Sequence, residues 1–148
     1  MPELELDMPL SAVARAHSQD MAARGYFSHE TPEGLDPTDR AQSMGYECRR
    51  KHGRRILVGI GENLSKANLF GLATRHYGVR KSPDGRETCI EIGVTYDWHT
   101  ATELATGAVK GWMNSPGHRQ NMLTPHYERE GIGVALTVDC VYVTQNLI

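Results

Sequence analysis

At 148 residues the chain is long enough to bury a core of its own, about 68–70% of the surface its unfolded form exposes, without disulfide or metal staples. Sixteen Lys and Arg against eighteen Asp and Glu leave a net charge of −2, which argues against a nucleic-acid binder working through a strong positive field. The composition is that of an ordinary globular protein, with 39% hydrophobic and 23% charged residues, and no apolar run approaches the ~18 residues of a membrane span.

The first seven residues carry neither the basic nor the apolar segment of a secretory signal. From Asp7 to Arg24, Leu10, Val13, Ala14, His17 and Met21 recur on one helical face; Asp7 caps the start, Pro9 sits in the first turn and Gly25 closes the end. Tyr26 to Leu35 has no period and holds Pro32 and Gly34, so it reads as a loop. Asp36, Pro37 and Gly45 bracket a short helix. Glu47 to Arg55, with its run of cations, reads as a solvated loop in preference to an anion-binding patch. The apolar run Ile56 to Ile60 suits a buried strand, with Glu62 at its exit. Ser82-Pro83-Asp84-Gly85 looks like a hairpin turn ahead of a strand in which Ile90, Ile92, Val94 and Tyr96 alternate with other residues.

Thr100 and Glu103 form a capping-box pair in front of Leu104, Ala105, Ala108, Val109, Trp112 and Met113, the clearest helical stripe in the chain. Ser115 and Pro116 then mark the N-cap and first residue of a shorter helix reaching about Leu123. The tail alternates through Ile132, Val134, Leu136 and Val138, breaks near Asp139 and resumes at Val141 and Val143, the pattern of a β-hairpin. With no repeat or linker, this order describes one α+β layered domain over residues 1–148. Cys48, Cys89 and Cys140 form no CxxC pair; one disulfide with a spare thiol and three reduced thiols are equally open.

Three side chains stand out as chemistry. His29 lies in the loop beyond the first helix. His118 lies in the first turn of the short helix, where the helix dipole disfavours an imidazolium; Glu62 is a carboxylate able to orient an imidazole by accepting its second N–H. Taken singly, each is more often a packing or hydrogen-bonding residue than a ligand.

Together, Ser28-His29, Gly61-Glu62-Asn63-Leu64, the segment Trp112 to Leu123 with its Ser115-Pro116-Gly117-His118-Arg119 centre, Gly131 to Val134 and Tyr142 to Gln145 occur in the order seen in the CAP superfamily. That superfamily takes in the cysteine-rich secretory proteins, antigen 5 and plant pathogenesis-related class 1 proteins. The resemblance is closest to its bacterial and archaeal branch and covers nearly the whole chain, Leu69 to Tyr96 being the least familiar stretch. It implies a three-layer α-β-α sandwich, the SCP domain, with an open cleft. His29 and His118 would be the histidine pair holding a weakly bound Zn²⁺ or other divalent cation, with Glu62, Asn63 and Ser115 lining the ligand cleft. Ser115 stands where eukaryotic members carry a second glutamate, which weakens a hydrolytic reading with Glu62 as general base; as a residue in itself Ser115 is a helix cap before it is a nucleophile.

The resemblance further implies a secreted or extracytoplasmic binding module for a small-molecule, lipid or cell-envelope ligand, with no nucleic-acid partner. Alternative readings are a metal-assisted, peptidase-like hydrolase and a structural domain whose polar residues tie loops to the sheet. Members usually carry a helix ahead of the segment matching Leu4 to Asp20, so an exposed apolar patch is expected where that helix would pack, with a partner or second copy as its cover.

Overall fold

The computed structural model describes residues 3–148. In chain order the elements are β1 (Glu5–Leu6), α1 (Met8–Arg24), α2 (Pro37–Ser43), β2 (Arg49–His52), β3 (Arg55–Val58), β4 (Gly61–Asn68), β5 (Phe70–Lys81), β6 (Glu87–Trp98), α3 (Ala101–Asn114), α4 (Pro116–Met122), β7 (Arg129–Leu136) and β8 (Cys140–Leu147). Four strands form the central sheet in the order β1-β7-β8-β4, while β2-β3 and β5-β6 are separate two-stranded hairpins.

Helix α1 begins where expected because the Asp7 carboxylate accepts the Leu10 N–H, and it ends at Gly25, whose φ of 71° is a left-handed cap that a side chain would strain. Asp7 does more than cap. Its second oxygen accepts from the Tyr46 hydroxyl at 2.7 Å and from Arg129 at 2.8 Å, tying the start of α1 to the loop after α2 and to β7. Asp36 and Asp39 close a full capping box on α2, as Thr100 and Glu103 do on α3.

Side chains alternate across the sheet and so decide what covers each face. Leu64 and Tyr142 point to α1, where they bury Met21, and Ser18 of α1 shares a 2.8 Å hydrogen bond with the Thr144 hydroxyl. Gly131 and Gly133 let β7 lie directly on α1: a Cβ at Gly133 would fall onto the backbone of Ala14 and Arg15. On the opposite face, α3 and α4 lean on β4, the Trp112 indole N–H donating to the Leu64 carbonyl at 2.8 Å. Helices on both sides of one sheet make the α-β-α sandwich.

The α3 layer covers only part of its face. An apolar trough of about 590 Å³ runs between Leu104, Val109 and Trp112 of α3 and Ile132, Val134 and Val143 of the sheet, and Leu136 beside it is 63% exposed.

Several sequence expectations require correction. Arg49–His52 is a strand, not a loop, because it pairs in register with Arg55–Val58. The Ile56 to Ile60 run is a strand over Arg55–Val58 only, and it is not buried: Ile56 and Val58 both face solvent, since this hairpin stands off the sheet. Glu62 is therefore not at the exit of that run but is the second residue of β4. The predicted strand around Ile90 is twelve residues long and pairs with β5 across the Ser82–Gly85 turn, as a hairpin turn there implies, although no alternation marks β5 itself. The cysteines resolve to three free thiols.

Candidate functional site

Strand β4 is an edge strand, and its second and third residues, Glu62 and Asn63, send side chains to opposite faces. Glu62 turns toward the α1 side. Its carboxylate is almost wholly buried, and both oxygens are engaged: Oε1 accepts from Nδ1 of His29 at 2.9 Å, and Oε2 pairs with the guanidinium of Arg40 at 2.5 Å. Arg40, itself buried, also donates to the carbonyls of His29 at 2.6 Å and Leu35 at 3.1 Å. One cation on α2 thereby holds both the carboxylate and the loop that carries the histidine.

A second imidazole lies beneath. His17 of α1 is buried, donates from Nε2 to the Ser28 carbonyl at 3.0 Å, and stands 4.0 Å from Glu62 Oε1. Burial holds its imidazole below the usual histidine range; the neighbouring Glu62 charge opposes that shift and Arg40 adds to it.

Asn63 turns toward α4. Its amide donates to Gln145 Oε1 at 2.9 Å and to the His118 carbonyl at 3.4 Å, and it accepts from Asn121 at 3.0 Å. Asn121 also donates to the Glu62 carbonyl at 3.1 Å. These amides clamp α4 to β4 and bring His118 over the strand edge, where its ring centroid is 6.2 Å from that of His29. Burial lowers the His118 pKa first and the proximity of His29 second, both favouring the neutral imidazole.

Of the five residues singled out, four converge: His29, Glu62, Asn63 and His118. Ser115 sits at the α3–α4 junction, partly buried; it occupies the N-cap position, but its hydroxyl makes no capping bond. The two residues missed are Arg40 and His17. His17 was visible only as one position of an apolar stripe, and no local pattern marks Arg40.

The arrangement suits a particular chemistry. Because Nδ1–H of His29 is donated to Glu62, its Nε2 keeps a lone pair on the side of the ring away from the carboxylate, and the ring is half exposed. His118 is biased to the neutral state that ligates metals. Among the described residues no group of three or more His, Cys, Asp or Glu could hold a metal, and both Glu62 oxygens are already taken.

Over residues 1–147 the sequence matches the family model described as CAP, the cysteine-rich secretory protein family. The chain belongs to this family. Among CAP relatives, the uncharacterized protein YkwD of Bacillus subtilis is 31% identical over 130 residues, covering 88% of this chain and 34% of YkwD. The uncharacterized membrane protein YlbC of the same organism is 28% identical over the whole chain and 29% of its own length. The chain thus spans about a third of the curated relatives it matches. An extracellular SCP-domain protein of Bacillus anthracis aligns with a TM-score of 0.54 at 25% identity, over all of this chain and 34% of its own. An outer surface protein of Borrelia burgdorferi shares the fold at a TM-score of 0.58 and 16% identity, over 99% of this chain and 78% of its own. Among the described residues no helix is long and apolar enough to cross a membrane.

Proposed function

We propose that this CAP domain is an extracytoplasmic binding module whose cleft takes a divalent cation, Zn²⁺ in the first instance, on Nε2 of His29 and the imidazole of His118. The observation that carries the reading is the His29–Glu62 bond: a buried carboxylate fixes the tautomer of one imidazole, and the ring centroid of the second lies 6.2 Å from it. Glu62 acts as the orienting group and not as a third ligand. A bound cation would supply Lewis acidity and a charge to attract an anionic ligand; with two protein ligands its hold is weak and exchangeable. The extracytoplasmic placement draws on the extracellular description of the Bacillus anthracis SCP-domain protein.

The same geometry gives less support to a hydrolase using Glu62 as general base, since that role needs a carboxylate oxygen free to take a proton from water. Isothermal titration of untagged protein with Zn²⁺ tests the binding reading. One site is expected, weakened about tenfold or more in His29→Ala/His118→Ala. Equal, negligible heat for both proteins would remove the metal.

A further inference from the structure

We propose that the underside of the β2–β3 hairpin is a second binding site, a pocket for a phosphate group, gripped by Arg50 with His126 beside it. The argument starts from charge. Residues 49–55 carry Arg49, Arg50, Lys51, Arg54 and Arg55 with no acid among them, in a chain whose net charge is −2. Cross-strand partners share a face, so Arg49 with Val58 and Lys51 with Ile56 point outward, where all four are exposed. Arg50 with Leu57 points inward.

That inward cation is not solvated like its neighbours. Its guanidinium lies 4.8 Å over the Tyr127 ring, and its Nε and Nη1 are buried with no hydrogen-bond partner. A guanidinium stays charged at any physiological pH, so it cannot escape the cost of two unsatisfied N–H groups by losing a proton. Glu128 is the acid that acts on it electrostatically, Arg129 opposes that effect, and among the described residues no ion pair joins Arg50 to a carboxylate. An oxyanion supplies the missing acceptors and charge together.

The pocket around it is built. It has a volume of about 270 Å³ and is lined by Thr38, Gly59, Gly61, His126 and Tyr127 as well as Arg50. Gly61 is part of its architecture, because a Cβ at that position would run into the Tyr127 hydroxyl and displace the ring on which Arg50 rests. His126 adds an imidazole to the wall, its ring tilted against that of His52 of the hairpin at a centroid distance of 5.6 Å. The outward cations stand on the other face of the same hairpin and add only a general positive field to this end of the molecule. None of His29, Arg40, Glu62 and His118 lines this pocket, and the variants that test it leave those residues in place.

The test is a titration of the full chain with inorganic phosphate at constant ionic strength, followed by the NMR shifts of the His126 and His52 rings. Saturable shifts are expected, with affinity reduced about tenfold or more in Arg50→Gln and less than about twofold in the exposed Arg54→Gln. Should Arg50→Gln fail to fold, Arg50→Lys and His126→Gln carry the test, each with an expected loss of about threefold or more. Non-saturating shifts, equal losses in Arg50→Gln and Arg54→Gln, or a lowered melting temperature in Arg50→Gln with unchanged phosphate affinity would overturn the site. Co-sedimentation with phosphatidylglycerol-containing vesicles, set against phosphatidylcholine alone, distinguishes the source: Arg50-dependent sedimentation assigns the pocket to a lipid headgroup, and phosphate binding without it to soluble phosphate.

Discussion

His29 and Glu62, thirty-three residues apart in sequence, meet through a 2.9 Å bond between an exposed imidazole and a buried carboxylate. The bond sets a direction of dependence. The carboxylate could not stay buried on one neutral donor, and it does so because Arg40 neutralises it from the other side. Removing that cation leaves a buried charge without its partner. Arg40→Met is expected to cost about 3–5 kcal/mol in urea denaturation and to lower Tm on the order of 10 °C. The double variant Arg40→Met/Glu62→Leu should cost clearly less than the sum of the singles. Additive losses would show that the pair is not coupled.

The same pocket sets a pH dependence. His17 is held below the ordinary histidine range by burial, and His118 by burial together with His29. In the folded chain these rings stay neutral as pH falls, whereas in the unfolded chain they take protons near pH ~6.5. The unfolded state therefore binds more protons below that pH. The stability linked to the neutral rings is complete above pH ~6.5 and is lost as pH drops through the lowered folded values, at up to about 1.4 kcal/mol per pH unit per group. The lowered carboxylates Asp7 and Asp20 contribute their losses only below about pH 4, so the window from about pH 7 to 5 isolates the histidines. Urea midpoints across that window should fall in the wild type and fall less steeply in His17→Gln. Parallel slopes would exclude His17 as the source.

The thiols give a third expectation. Cys89 is exposed on the β5–β6 hairpin, Cys140 is partly buried, and Cys48 is buried with its thiol pKa pushed up by that burial. Thiolate is the reactive form, so an aromatic disulfide reagent should modify Cys89 first, Cys140 more slowly and Cys48 only on unfolding. A reductant should leave Tm unchanged. A shift on reduction would mean that two of the three are paired.

What could be read in advance followed local rules. The helices announce themselves by caps, Asp7 and Asp36 at two starts and Thr100 with Glu103 at a third, because capping is a short-range interaction written within four residues. The missed elements are strands, β1 and β4 of the central sheet among them, whose evidence is non-local. Strand β2 is a run of cations that reads as loop until Leu57 and Ile56 pair with it, and β5 breaks its alternation at register shifts between Phe70 and Leu72 and between His76 and Tyr77. The histidine pair and the Gly-Glu-Asn segment were legible as family motifs. Arg40 and His17 were not, since nothing in their neighbours says that a buried carboxylate from β4 will arrive beside them.

The tight contact between α1 and β7 yields the last prediction. Helix α1 can rest on β7 only because Gly131 and Gly133 present no side chain: Cβ atoms there would occupy the backbone positions of Leu10 with Ser11 and of Ala14 with Arg15, and neither helix backbone nor central strand can give way cheaply. The Ser18 hydroxyl, which bonds the Gly133 carbonyl at 3.1 Å, would be pushed off as well. Gly133→Ala should cost about 3 kcal/mol or prevent folding. Gly107, by contrast, lies on the exposed side of α3 with no atom within 4 Å of an added methyl, and it has no positive φ to require glycine. Gly107→Ala should stabilise the chain by about 0.5–1 kcal/mol, as a helix-interior glycine removed from an open surface does. Thermal melts of the two variants decide it: the same chemical change, one methyl, must act in opposite directions if α1 and β7 are packed backbone to backbone.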